Sequence, residues 1–386
     1  MPLHFTPEEL AERRAVTCAG LKARDLAGLL MFRQESMYYL TGYDTFGYVF
    51  FQCLYIGADG TLTLLTRAPD VRAAAYTSML QDVRMWVDGP TAQPALELRD
   101  ILAEHGLAGA RLGVEWDAYG LTAANGHRLS AAMDGFCDLV DASDLVTRQR
   151  AAKRPAEIAY VRKAAELADA ALKAALPLIK PHAWEGDILA ALQSTVLAGD
   201  GDYSGNEFII GSGPGQNLGR YVSGRRRLEA DDTLAIEFAG VFRHYHSALM
   251  RTYRVGRRDE RLCELHDVGL AALEACRCTI RPGASFGDIF AAYTGTLEAA
   301  GFTGMANRLN ACGYGLGTTF SPNWMDWPMV YRANPALVEE GMVIFLHMVV
   351  TEGERNVAPG ETFLVTAEGC ERLGRMPITL DPLAAA

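Results

Sequence analysis

From residue 155 onward the chain runs through the same series of elements twice, and this repetition restricts the available folds more than any other feature. Amphipathic stretches near 156–178 and 184–199 read as helices, and strand patterns follow near 206–211 and 233–256. Helical patterns return near 260–280 and 285–300, with strand patterns near 340–351 and 359–366. Pro155 and Glu157 open the first helix, whose apolar positions include Ile158, Val161, Ala165, Leu167 and Leu172. Two αα-then-ββ halves without obvious sequence identity fit a pseudo-symmetric fold that layers helices on a sheet.

Ahead of that repeat, residues 1–150 read as a smaller α/β domain. Thr6-Pro7-Glu8-Glu9 is a helix start, with a threonine cap, proline at the first helical position and acids at the positive end of the helix dipole. Strand patterns at 26–32, 49–56, 62–65, 83–87 and 112–114 alternate with helical ones at 70–81, 94–105 and 118–133. Ala58-Asp59-Gly60 is the expected hairpin turn. A basic linker, Arg148 to Arg154, separates this domain from the second, residues 151–386.

Composition narrows the function classes. With 49% hydrophobic and 22% charged residues, the 386-residue chain is expected to be a soluble globular protein of two domains. No run of eighteen apolar residues exists, so no membrane span is expected. The first residues lack the basic and apolar regions of an export signal, which makes a cytoplasmic location the expectation. A net charge of −11 argues against a nucleic-acid partner. The Arg225-Arg226-Arg227 run reads as a solvated turn or a local salt-bridge cluster. The eight cysteines show no zinc-ligand spacing and read as spectator thiols. Gly211-Ser212-Gly213-Pro214-Gly215 lacks both the lysine of a P-loop and a dinucleotide fingerprint, and reads as a tight loop beside a substrate.

The segment Glu237 to Thr252, the hinge-like stretch Leu145 to Ile158, Gly341-Met342-Val343 and Leu364 to Glu371 occur in the order and spacing of one known family. The chain resembles the creatinase/aminopeptidase P (M24, pita-bread) hydrolases over nearly its whole length. Within that family the ectoine-hydrolase pattern is matched most fully. It shares Glu-x-Ala-Gly-x-x-x-x-Tyr-His-x-x-Leu-x-Arg-Thr from Glu237, a Gly-Tyr-containing stretch from Gly313 to Trp324, and Leu-Thr-Gly-Tyr-Asp at Leu40 to Asp44. The resemblance implies an α+β pita-bread C-terminal domain behind a smaller creatinase-like α/β domain. It also implies a homodimer whose N-terminal domain caps the partner's site.

Metal-dependent members use Asp, Asp, His, Glu and Glu as ligands. The matching positions here hold Glu237, Ala248, Tyr314, His347 and Gly360, with Glu361 one residue further on. The upstream histidine of the family falls at Arg220. A pair of hard or borderline cations needs several carboxylates and an imidazole, and alanine and glycine offer no side-chain donor. The expectation is therefore chemistry with no metal and no other cofactor on a small-molecule substrate.

Hydrolysis of a C–N bond of amide, amidine or guanidino type needs a nucleophile, a proton donor and stabilisation of the developing charge. Glu237, in a largely apolar strand, is the candidate nucleophile or water activator, and Glu361 the second carboxylate, expected opposite it. His244 and His246 are expected to alternate along one strand, on one face, as candidate proton donors, with His347 comparable. Tyr314 is a candidate hydrogen-bond donor. Arg220 and Arg251 are candidate carboxylate clamps. Phe46 and Tyr48 are candidate caps on a partner's pocket, and Trp324 and Trp327, with Phe320, a candidate aromatic wall. The alternatives are an Xaa-Pro dipeptidase with one metal rebuilt from Glu237, His347, Glu361 and a histidine, and a non-catalytic binding protein on a peptidase fold.

Overall fold

The computed structural model describes residues 3–217, 224–306 and 310–382. The chain divides into two compact units, Met1–Arg150 and Ala151–Ala386.

The first unit contains strands β1 (Gly28–Met31), β2 (Cys53–Gly57), β3 (Leu62–Arg67), β4 (Val83–Trp86), β5 (Arg111–Val114) and β6 (Asp138–Asp141), ordered β4-β3-β2-β1-β5-β6. The β1–β2 and β2–β3 pairs are antiparallel and the other pairs parallel. Its helices are α1 (Pro7–Ala23), α2 (Gln34–Thr41), α3 (Val71–Thr77), α4 (Pro94–Glu104), α5 (Ala123–Met133) and α6 (Asp144–Gln149). Apolar residues alternate along the strands, so both faces are buried. Leu30, Tyr55 and Val114 pack with Leu98 and Leu129 of α4 and α5, while Leu29, Ile56 and Leu64 pack with Leu21 and Met37 of α1 and α2. Thr6 caps α1 in a reciprocal capping box with Glu9. The expected basic linker begins instead inside a helix, α6, where Arg148 pairs with Asp144 one turn back.

In the second unit, α7 (Pro155–Ala175) and α8 (Glu185–Ala198) precede β7 (Ile209–Ser212), β8 (Asp232–Phe242) and β9 (Tyr245–Val255). Helices α9 (Glu260–Thr279) and α10 (Phe286–Ala299) precede β10 (Gly313–Gly315), β11 (Asp326–Met329), β12 (Val343–His347), β13 (Val350–Glu352), β14 (Arg355–Val357), β15 (Gly360–Val365) and β16 (Cys370–Arg372). The main sheet runs β11-β10-β12-β15-β9-β8-β7. Strands of the first half (β7, β8, β9) and of the second (β10, β12, β15) thus meet at the β9–β15 junction, the arrangement expected of two equivalent halves.

One face of this sheet lies under helices. Ile344, Leu346, Phe363 and Val365 pack with Leu265, Leu273, Ile289 and Phe290 of α9 and α10. On the first half, Tyr245 donates to Glu157 of α7 at 2.7 Å. Gly240 lets α7 approach closely, because a Cβ there would collide with the Ala164 carbonyl. Side chains that alternate with these residues form the other face, and that face carries the site.

The Arg225–Arg227 run is a local salt-bridge cluster. Arg226 pairs with Asp232 and, at 2.7 Å, with Glu229, and the amides of Arg225 and Arg226 donate to buried Glu185. All eight cysteines are free thiols. No helix among the described residues is long and apolar enough to cross a membrane.

Candidate active site

The β8–β9 hairpin closes through Arg243 and His244, both with positive φ (52° and 62°), so the strands pair in strict register from Phe242↔Tyr245 to Asp232↔Val255. Glu237 therefore stands beside Ile209 on one side and Met250 on the other, Met250 beside Gly360, and Gly360 beside His347. Residues in such a cross-strand row project from the same face. Glu237, Met250, Gly360 and His347 share the face opposite the helices, and Tyr314, paired with Phe345, joins them.

Two of these side chains, Tyr314 and Glu237, form a hydrogen-bonded line with Trp324. The indole Nε1 of Trp324 donates to the Tyr314 hydroxyl at 2.8 Å, and that hydroxyl donates to Glu237 Oε1 at 3.3 Å. Trp324 is fully buried, Tyr314 nearly so, and Glu237 half-buried. Asn206 Oδ1 accepts from the Trp324 amide at 3.0 Å and fixes the loop that carries the indole. His347 is half-buried, its ring 6.0 Å from that of Tyr314. Glu237, Tyr314 and His347 are thus brought together as expected of a site.

Other expected members are not. Glu361 lies one residue past Gly360, and a one-residue step reverses the face. It sits under the helices, fully buried, paired with Arg251 and, at 2.8 Å, with Arg372. Arg251 is on that same buried side and also donates to the Met250 and Gly360 carbonyls at 2.9 and 2.7 Å. It is a tie between β9 and β15, not a substrate clamp. His244 belongs to the turn and not to a strand, and its ring stacks on Phe320 at 4.1 Å. Trp324 is enclosed and so forms no wall, and Trp327 packs against the helix-side core. In the first unit, Phe46 is 78% exposed whereas Tyr48 is buried, which pushes its hydroxyl up to about 12 and removes it as a cap. Arg220 lies outside the described residues.

His246 does share the face of Glu237, but both ring nitrogens serve the fold. The Gly205 amide donates to Nε2 at 2.9 Å, which leaves the proton on Nδ1 to be donated to the His244 carbonyl at 2.9 Å. Burial, then the neighbouring His244, lowers its pKa to about 3, and the ring stays neutral. His266 on α9 is lowered to about 4 by burial, which outweighs the opposing charge of Asp267. Unfolded imidazoles take up a proton near 6.5, so the unfolded chain binds more protons than the native one below that pH. Stability is therefore full above pH 6.5 and falls as the pH drops toward 4, by about 2 kcal/mol per histidine at pH 5. Urea midpoints at pH 7.5 and 5 should diverge less in His266→Gln than in wild type. An unchanged divergence would contradict this origin.

Whether a pair of cations fits this face is decided by donors and space. Ala248 is fully buried and faces Ala239 across the hairpin, and neither has a donor. Any side chain at Gly360 would meet Met250 Cβ at 2.7 Å and Phe345 Cζ at 3.0 Å. Apolar atoms thus fill the space into which a ligand at that position would project. Among the described residues, no group of three or more His, Cys, Asp or Glu side chains could hold an ion. The bridged two-metal arrangement does not fit. Sequence reasoning missed Met250, Phe345, Gly205, Asn206 and Thr319, the last 3.1 Å from His246 Nδ1.

A small cleft of about 180 Å³ opens beside the Trp324 supports, lined by Tyr203, Ser204, Asn206, Phe208 and Ser321. The larger concavity, about 930 Å³, is at the far end of the hairpin. Its arginines are largely engaged, Arg254 by Asp381, Arg258 by Glu260 and Arg355 by Asp259, and it does not reach Glu237.

The two-half sheet backed by helices, with the site on its open face, and the separate α/β unit that precedes it in the chain define a pita-bread hydrolase fold with a creatinase-type N-terminal domain. The family description for metallopeptidase family M24 matches residues 159–367, and that for the creatinase/prolidase N-terminal domain matches residues 13–152. The chain belongs to the M24 family. It is 24% identical over 392 residues to the ectoine hydrolase of Halomonas elongata, covering 97% of each chain. To an Xaa-Pro dipeptidase of Pyrococcus horikoshii it is 26% identical over 231 residues, covering 60% of this chain and 64% of that one. The crystal structure of a prolidase from Thermococcus sibiricus superposes with a TM-score of 0.86 at 19% identity, over 96% of this chain and 98% of that one.

Proposed function

We propose that this M24-family hydrolase cleaves a C–N bond of a small nitrogen-rich or cyclic metabolite without metal ions, in the manner of an ectoine hydrolase. The observation that carries the reading is the combination on one face of an oriented carboxylate, Glu237, with a metal cradle closed by Ala248, Met250 and Phe345. The full-length similarity to an ectoine hydrolase supports it further.

In this reading Glu237 acts by direct attack or by deprotonating water. On the water route the water oxygen bonds to the carbon of the C–N unit as its proton moves to Glu237. The C–N bond then breaks and the leaving nitrogen receives a proton, from Glu237 or from His347 on the same face. Tyr314 orients the carboxylate. A single-metal peptidase site is poorly supported, because Glu361 is on the opposite face and His246 has both nitrogens engaged.

The test is a panel of cyclic amidine, lactam, guanidino and Xaa-Pro dipeptide substrates, assayed with and without EDTA. Turnover of a non-dipeptide substrate, undiminished by EDTA, is expected. Dipeptide hydrolysis that EDTA abolishes and Mn²⁺ restores would reject the proposal.

A further inference from the structure

The line from Trp324 through Tyr314 to Glu237 sits on the proposed catalytic face but lacks an obvious substrate-facing role for its first member. Trp324 is fully enclosed, so its ring is withdrawn from any ligand. Its one polar atom, Nε1–H, points at the Tyr314 hydroxyl at 2.8 Å. A phenol has one proton to give and oxygen lone pairs to accept with. An indole can only donate, so its hydrogen bond occupies the accepting side of the phenol. The phenolic proton is thereby turned toward Glu237 Oε1, 3.3 Å away. The loop is itself held: Asn206 Oδ1 accepts from the Trp324 amide, and the Trp324 ring lies 6.3 Å from that of His246, which is fixed at both nitrogens.

We infer that Trp324 is a positioning residue for Glu237, acting through the Tyr314 hydroxyl to aim a hydrogen bond at the carboxylate. The inference rests on the role proposed above for Glu237. It assigns Trp324 a task different from substrate contact: one indole N–H sets the direction of one phenolic proton. The hydrogen bond from Tyr314 favours the charged carboxylate, so its loss moves the protonation of Glu237 to higher pH.

Trp324→Phe removes the N–H and keeps most of the ring. The expected result is a kcat lower by about tenfold, a nearly unchanged KM, and an acid limb of kcat/KM displaced to higher pH. Tyr314→Phe should displace that limb in the same direction, and adding Trp324→Phe to it should change nothing more, since the link is already cut. Where Trp324→Phe fails to fold, benzothienylalanine at position 324 replaces the N–H with sulfur in a ring of the same shape and should give the same kinetic result. A raised KM with unchanged kcat, or an undiminished Trp324 effect in the Tyr314→Phe background, would overturn the inference. Glu237→Gln separates the two levels. An active Glu237→Gln enzyme removes the role of Glu237 itself. An inactive one beside a wild-type pH profile in Trp324→Phe removes only the positioning role.

Discussion

Glu237→Gln is expected to lower turnover by roughly 10³-fold with little change in melting temperature. The contrast follows from what the two side chains share. A glutamine carboxamide still accepts the hydrogen bond that Tyr314 gives to Oε1, so the line back to Trp324 survives and β8 keeps its neighbours. What glutamine cannot do at neutral pH is take a proton from water or form an acyl intermediate. Loss of a general base typically costs about 10²–10⁴-fold. Glu237 is half-buried and not deep in the core, which limits the structural consequence of the swap. Measured kcat and calorimetric melting of the same preparation decide the matter. Activity within a few-fold of wild type would remove Glu237 from the chemistry, and a collapse in melting temperature would make it a structural residue.

The second large effect is on stability, with turnover spared. Arg251→Met should lower the stability of the second unit by about 3–5 kcal/mol, because it leaves the Glu361 carboxylate buried with Arg372 as its one ionic partner among the described residues. Arg251 and Glu361 are both 0% exposed, so little solvent is present to compensate, and among the described residues nothing hydrogen-bonds to Glu361 Oε2. Arg251 also joins the Met250 and Gly360 carbonyls across the β9–β15 junction, where the two halves of the sheet meet. A fall in melting temperature of about 10 °C is expected for a unit of this size. Protein that remains folded at low temperature should keep its KM within a few-fold, since this pair lies on the helix side of the sheet. A KM increase of a hundredfold with unchanged melting would restore Arg251 as a substrate clamp.

Much of the fold was legible because hydrophobic period and helix punctuation are local. The helices expected at 260–280 and 285–300 occur at Glu260–Thr279 and Phe286–Ala299, and the α7 start at Pro155 is where the proline placed it. Short elements escaped, notably α2 at Gln34–Thr41 and β10 at Gly313–Gly315, since three to eight residues carry too little pattern. The site was harder to read for one specific reason. The hairpin turn is Arg243-His244, both in the left-handed region, a conformation usually signalled by Asn-Gly. Read as one continuous strand, the segment put His244 beside His246. With the turn located, the register follows, and Met250 is seen to neighbour Glu237. The same arithmetic explains Glu361: a carboxylate one position from the expected ligand is no near substitute, because each step along a strand exchanges faces. The Trp324–Tyr314 bond joins residues ten apart across an irregular loop, and no sequence period reports it.

Elemental analysis of the purified enzyme, on a sample whose turnover is measured before and after dialysis against a strong chelator, bears most directly on how this face breaks bonds. Substoichiometric Mn, Fe, Co, Ni and Zn with turnover unchanged by dialysis is expected where Ala248, Gly360, Met250 and Phe345 leave no cradle for a cation pair. Two equivalents of a divalent metal per chain, lost together with activity and restored together with it, would show that the chemistry proceeds through metal after all.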